Sequence, residues 1–154
     1  MKKLLSIVLA GIMMFSLVAC SENASSEGQN GNSQVIENQT AGLWADAIYT
    51  EDTEVGEGEN TVNVIVVCEE KQITITLKTD RTNFGRALLD SGLVQGTDGD
   101  YGLYISHVNG IKAVYEEDNA YWSFLDGEGN YMSYGVDKAE LTGNDTFQLA
   151  YTPA

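Results

Sequence analysis

From Thr61 onward the chain alternates apolar and polar positions in short, clearly punctuated runs. TVNVIVVC, ending at Cys68, is β-branched and apolar, and Glu69-Glu70-Lys71 interrupts it. QITITLKT then sets Ile73, Ile75 and Leu77 against Thr74, Thr76 and Lys78. A period of two in β-branched residues predicts a hairpin with one buried face. In RTNFGRALLDSGLV the period changes. Phe84, Ala87 and Leu88 fall at i, i+3 and i+4, Thr82 is placed to cap the start, and Gly92 stands where a glycine ends a helix. The helix is short, and Gly85 weakens it by about 1 kcal/mol relative to alanine, so packing on the sheet must hold it. Beyond a polar loop, QGTDGD, come YGLYIS, a turn at Val108-Asn109-Gly110, IKAVY, and a turn at Glu116-Glu117-Asp118-Asn119. AYWSFLD, a turn from Asp126 to Asn130, and a last strand, TFQLAYT, complete the pattern. The predicted order is β-β-α-β-β-β-β, a small α+β domain whose mixed sheet carries a single helix on one face.

The N-terminal part follows other rules. MKKLLSIVLAGIMMFSLVAC is a positive end, an apolar core and a cysteine, which is the layout of a secretory signal. The core is short for a permanent span, which needs roughly 20 apolar residues. Leu17-Val18-Ala19-Cys20 has the order that bacterial lipoprotein processing reads. Residues 1–19 are therefore expected to be removed, leaving Cys20 as an acylated N-terminus, and two or three acyl chains suffice for stable anchoring. The expected location is extracytoplasmic, on the outer face of the bacterial cell membrane. Residues 20–41 hold Ser, Asn, Gln, Gly and Glu almost throughout and predict a flexible tether. The domain proper spans 42–154. It begins with GLWADAIYTEDTEVGEGE, expected to lay a strand or arm on the body and then form an acidic, glycine-bearing loop.

Charge narrows the partners. The whole chain has a formal charge of -15; without Lys2 and Lys3, six cationic side chains face 23 acidic ones, a charge of -17. Such a chain is repelled by nucleic acid and gains nothing from anionic lipid. With Cys20 acylated, Cys68 has no disulfide partner, and its neighbours Glu69 and Glu70 oppose thiolate formation. The one histidine, His107, precedes the Asn109-Gly110 turn and lacks the companions of a zinc site or of a nucleophile elbow. The expectation is a protein that is not an enzyme. Calcium is the inorganic possibility, because oxygen ligands are plentiful in the loops; Asp98, Asp100, Asp126 and Glu128 are the candidate metal residues, without EF-hand spacing.

AYWSFLDGEGNYMSYGVD concentrates five aromatic rings and three glycines in eighteen positions. Strand alternation puts Tyr121 and Ser123 on one face and Trp122 and Phe124 on the other. Trp122 and Phe124 are expected beneath the helix, and exposed tyrosines offer a platform for a ligand or partner. Three segments, TVNVIVVCEEKQITITLKTD, YGLYISHVNGIKAVYEEDNAYWSFLDGEGN and the closing YMSYGVDKAELTGNDTFQLAYT, resemble the transcobalamin C-terminal-like domain family of bacterial lipoproteins. That family is related to the small β domain of transcobalamin and intrinsic factor. The resemblance covers about Val62 to Tyr151 and implies a β-grasp-like fold. It also implies a possible cobalamin or related corrinoid ligand, approached by Tyr121, Trp122, Phe124, Tyr131 and Tyr134. The composite expectation is a membrane-tethered module for a small planar ligand. The alternatives are a surface module that binds an exported protein or associates with itself at a sheet edge, and a calcium- or other metal-binding domain.

Overall fold

The computed structural model describes residues 42–154; the signal, Cys20 and the tether lie outside them. A 3-10 helix at Gly42–Asp46 leads into β1 (Thr53–Gly56), β2 (Asn60–Cys68) and β3 (Lys71–Thr79). Then follow α1 (Phe84–Asp90), β4 (Val94–Gly99), β5 (Gly102–Val108), β6 (Ile111–Lys112), a single helical turn α2 (Tyr115–Asp118), and β7 (Ala120–Asp126). A 3-10 turn at Val136–Lys138 and β8 (Asn144–Pro153) complete the chain. Five strands form a mixed sheet in the order β1-β3-β2-β8-β7, and β4-β5-β6 form a small antiparallel one. This is a small α+β domain with one main helix.

The β2–β3 hairpin has the predicted alternation, with Val62, Val64, Val66 and Cys68 opposite Leu77, Ile75, Ile73 and Lys71 in register. Its apolar face is fully covered. The last strand enters beside the first hairpin: β8 runs parallel to β2, pairing Phe147 with Val64 and Leu149 with Val66, and antiparallel to β7. The buried residues of that face, of α1 and of the small sheet form one core, which includes Phe84, Leu88, Val108 and Ile111.

Four expectations are corrected. The loop QGTDGD is mostly strand: β4 pairs with β5 from Val94 to Gly99 around a bulge at Gln95/Gly96. Only Val94 of that strand is buried, so it left no apolar period to read. IKAVY gives two strand residues, after which Tyr115 and the acidic residues wind into α2, with Asp118 accepting a hydrogen bond from the Val114 N–H at 2.9 Å. The N-terminal arm is a 3-10 helix, and the strand lies within the acidic loop, where β1 adds parallel to β3. The cap of α1 is Asn83 in place of Thr82: its side chain accepts from the Arg86 N–H at 3.1 Å and donates to the Asp137 carbonyl at 2.9 Å. Gly85 also gains a reason. A Cβ there would meet the Asp137 Cα at 3.0 Å, so the glycine lets the helix sit directly on the 136–138 turn.

The β5–β6 turn is buried, and it organises the arm. Asn109 and Gly110 both have positive φ, 52° and 83°, the geometry of a two-residue type I′ hairpin. Asn109 is fully buried. Its amide accepts from the Tyr49 N–H at 2.9 Å and donates to the Tyr49 carbonyl at 2.8 Å, while its backbone N–H reaches the Leu93 carbonyl at 2.7 Å. One side chain thus replaces a missing strand partner. Asn109→Ala strands both Tyr49 groups and should lower stability by about 2–4 kcal/mol. Urea unfolding checks this through a reduced midpoint with an unchanged slope.

Candidate functional site

The described residues contain an aromatic cleft whose walls the topology fixes. β7 is an edge of the five-stranded sheet. β5 pairs with β4 on one side but with β6 only at His107 and Val108, which leaves its Gly102–Ser106 stretch without a strand on that flank. The two edges stand beside each other without pairing. Leu103, Tyr104 and Ile105 line one wall, Tyr121, Trp122 and Phe124 the other, with Gly135 and Val136 between, around a volume of about 210 Å³. That is below the range of roughly 300–1,000 Å³ usual for sites enclosing a drug-sized molecule. It suits one ring or one pendant group.

Each wall is held from behind. Tyr104 extends its hydroxyl to accept the Tyr115 N–H at 3.2 Å, so α2 positions the ring. Trp122 packs edge-on against Tyr151, with centroids 5.8 Å apart. Phe124 touches Phe84 at 5.7 Å and Phe147 at 5.3 Å, and Tyr134 meets it edge-on at 6.3 Å. The stretch at Gly135 and Val136 is fixed through the Asn83–Asp137 bond and through the Phe84 N–H donating to Ala139 at 2.9 Å.

Two polar atoms at this place have no partner among the described residues: the Trp122 indole N–H and Asp137 Oδ1. An enclosed donor without an acceptor costs about 1–3 kcal/mol, so it marks a place where folding alone is not fully satisfied. The other tryptophan gives the contrast. Trp44 donates its indole N–H to the Cys68 carbonyl at 3.0 Å, and Lys71 sits 4.6 Å above its ring. The second Asp137 oxygen lies 3.3 Å from the Lys138 ammonium. Oδ1 lies where a Gly135 Cβ would come within 2.8 Å of it.

The aromatic candidates divide between the cleft and its surroundings. Tyr121, Trp122 and Phe124 line it, whereas Tyr134 supports Phe124 from outside. Tyr131 is 69% exposed at an isolated bridge with Leu125, away from the lining. Leu103, Tyr104, Ile105, Gly135 and Val136 complete the lining and were not candidates from sequence, where nothing links YGLYIS to AYWSFLD.

Of the acidic candidates, Asp126 and Asp98 serve local structure, whereas the Glu128 side chain is exposed. Asp126 accepts from the Glu128 N–H at 2.9 Å and from the Asn130 backbone and side-chain amides at 2.9 and 3.0 Å. Asp98 lies 3.5 Å from the Arg86 guanidinium, and Asp100 is exposed in the β4–β5 turn. No three His, Cys, Asp or Glu side chains converge as a metal set among the described residues. Cys68 is buried, and burial followed by the neighbouring Glu69 pushes its thiol up to about 11, which leaves it protonated and unreactive at neutral pH.

No protein-family model and no curated protein sequence matches the chain. Among solved structures it is similar to a candidate metal binding protein from Ruminococcus gnavus, with a TM-score of 0.57 and 25% identity over 62% of this chain and 99% of that one. It is also similar to haptocorrin in complex with Cbi, with a TM-score of 0.46 and 17% identity over 61% of this chain; there it spans about a quarter of the other protein, 25%. The first of these shares the fold.

The hydrogen bonds from Asn130 chiefly hold the Asp126 carboxyl below its ordinary value of 3.8. A carboxylate depressed by folding contributes stability above its unfolded value and loses it as pH falls through the folded one. The melting-temperature advantage of the native protein over Asp126→Asn should therefore be constant from pH 7 to 5 and shrink below about pH 4. Thermal scans of both proteins across that range check it.

Proposed function

We propose that the protein is a binding module for a small, ring-containing ligand, and that it works without catalysis at the exterior of the cell membrane. The observation that carries the reading is a cleft between two strands that stand side by side without pairing to each other, lined by Tyr104, Tyr121, Trp122 and Phe124. Rings bind on such surfaces by apolar burial and by edge or stacking contacts. The resemblance of this chain's sequence phrases to the transcobalamin-like domains supports a corrinoid or a similar planar molecule, of which this cleft would hold one edge or a pendant group.

The fold shared with the Ruminococcus protein, named for metal binding, favours a cation less strongly. The Asp126 oxygens are already occupied by turn amides, and Asp98 has Arg86 beside it. A calcium-dependent rise in melting temperature would reverse that preference, since a ligand bound only by the native state stabilises it.

Calorimetric titration with cobinamide tests the leading reading. Binding should be weakened at least several-fold by Tyr104→Ala and left unchanged by Tyr131→Ala. Absence of any heat up to about 1 mM, an affinity of roughly 4 kcal/mol, would remove the corrinoid.

Location follows from Leu17-Val18-Ala19-Cys20, and a short tether would keep the cleft within a few nanometres of the bilayer at roughly 5–6 Å × √n. Mass spectrometry of the protein from its own cells should find an acylated Cys20 as the N-terminus, and Cys20→Ala should release the protein from the membrane fraction. An unmodified N-terminus in the medium would sink the anchor.

A further inference from the structure

The lining and the rim of the cleft together favour one sign of charge. The lining takes rings from both walls, Tyr104 on β5 and Tyr121, Trp122 and Phe124 on β7, and no charged side chain. Tyr104 is 41% exposed and Tyr121 37%, so a ligand reaches both. Aromatic rings attract a cation over their faces and give an anion nothing comparable. Every lysine and arginine of the described residues is already engaged, five with carboxylates and Lys71 over the Trp44 ring at 4.6 Å. The fold thus seats one ammonium on an aromatic surface already. The acidic turn α2 borders both walls of the cleft. It packs against β7, and its first N–H, that of Tyr115, is the one that the Tyr104 hydroxyl accepts at 3.2 Å. Lys112 reaches Glu117 and Asp118, which leaves Glu116 exposed and without a cationic partner among the described residues.

We infer that the cleft between β5 and β7 takes a positively charged ligand, whose ring enters between the walls and whose ammonium lies at the α2 end, against Tyr104 and Tyr121 and near Glu116. The inference rests on the binding reading above and adds the ligand's charge to it. Apolar contact with Leu103, Ile105 and Val136 attracts any ring of suitable size. The tyrosines and the acidic turn add to that attraction only for a cation. An anion meets the field of a chain of formal charge -15, and the lining holds no cation to receive it.

Three probes of similar size separate the ring from its charge: benzylamine, benzyl alcohol and benzoate. Each is titrated into the full chain at neutral pH, with the backbone amides of the lining followed in a two-dimensional nitrogen–proton spectrum. Benzylamine should shift the amides of Tyr104, Tyr121 and Val136 saturably, and bind roughly three- to thirtyfold more tightly than benzyl alcohol, the range that contact between a cation and aromatic rings allows. Benzoate should bind most weakly. Part of the preference should persist in about 1 M salt, where charges are screened beyond roughly 3 Å. Glu116→Gln should weaken benzylamine about twofold, as expected for an exposed charge, and leave benzyl alcohol unchanged. Glu57→Gln removes the same charge from an exposed loop beside β1, at the opposite sheet edge, and should alter neither. Benzyl alcohol matching benzylamine, with the lining amides shifting, would overturn the inference and leave the binding cleft standing. An equal loss of benzylamine affinity in Glu57→Gln, or a preference abolished by salt, would also overturn it, by reducing the effect to net charge. If no probe shifts any amide of the lining at millimolar concentration, the binding reading falls together with it.

Discussion

Three phenylalanines from separate parts of the chain form the contact on which the rest of this domain depends. Phe84 begins α1, Phe124 lies in β7 and Phe147 in β8, with ring centroids between 4.7 and 5.7 Å apart. Phe84 is fully buried. A seven-residue helix with an internal glycine is far too short to persist alone, so this contact holds it, together with the Asn83 cap and the close seat on Asp137. The same rings join the last strand to the edge strand. Because Phe124 also forms part of the cleft wall, the core and the candidate site share one set of atoms. Removing an aromatic ring here would cost several kcal/mol through lost burial and a cavity, and would also let the wall move.

The two sheet edges are treated differently, and this has functional content. β1 closes one edge with four residues, a charged Glu54 paired to Lys78 at 2.8 Å, and a glycine, features that discourage further pairing. β7 closes the other edge with AYWSFLD, which carries no charge before Asp126 and no proline. Part of that edge is covered from within: the Phe124 carbonyl accepts from the Met132 N–H at 3.0 Å, and the Asp126 N–H donates to the Asn130 carbonyl at 2.9 Å. Cover ends there. Toward Trp122 the neighbour is β5, close enough to form a cleft and not paired to close it.

Much of the fold was legible because burial on one face writes a period into the sequence. Val62, Val64, Val66, Ile73, Ile75 and Leu77 spell their hairpin directly, and Phe84, Ala87 and Leu88 spell their helix. β1 and β4 were illegible for the complementary reason. They are stabilised by backbone pairing at an edge, and residues such as Gln95, Thr97 and Asp98 record no burial. The site was half legible. Tyr121, Trp122 and Phe124 stand out as an aromatic strand, whereas Leu103, Tyr104 and Ile105 look like any short strand. What joins them is a separation between two edges, and no local pattern encodes a gap. The unpartnered indole is likewise invisible in sequence, where Trp44 and Trp122 are the same letter.

The size of the cleft then bounds what the domain can achieve alone. Fully burying one apolar side chain of phenylalanine size contributes about 1.5–3 kcal/mol, and one neutral hydrogen bond adds about 1 kcal/mol. Their sum lies near the roughly 4 kcal/mol of a millimolar complex. Nothing in a one-sided groove of about 210 Å³ offers the second face that nanomolar capture requires. On the proposed binding reading, occupancy therefore demands one of two arrangements: a ligand large enough to continue its contacts over Tyr134 and the neighbouring surface, or a second protein that closes the open side. The acidity of the chain bears on both, because a carboxylate-rich surface favours cationic or neutral extensions and disfavours anionic ones. Were Cys20 acylated as proposed, a short tether would raise the local concentration of any partner anchored in the same membrane, so a weak cleft could work through avidity where it could not work through affinity.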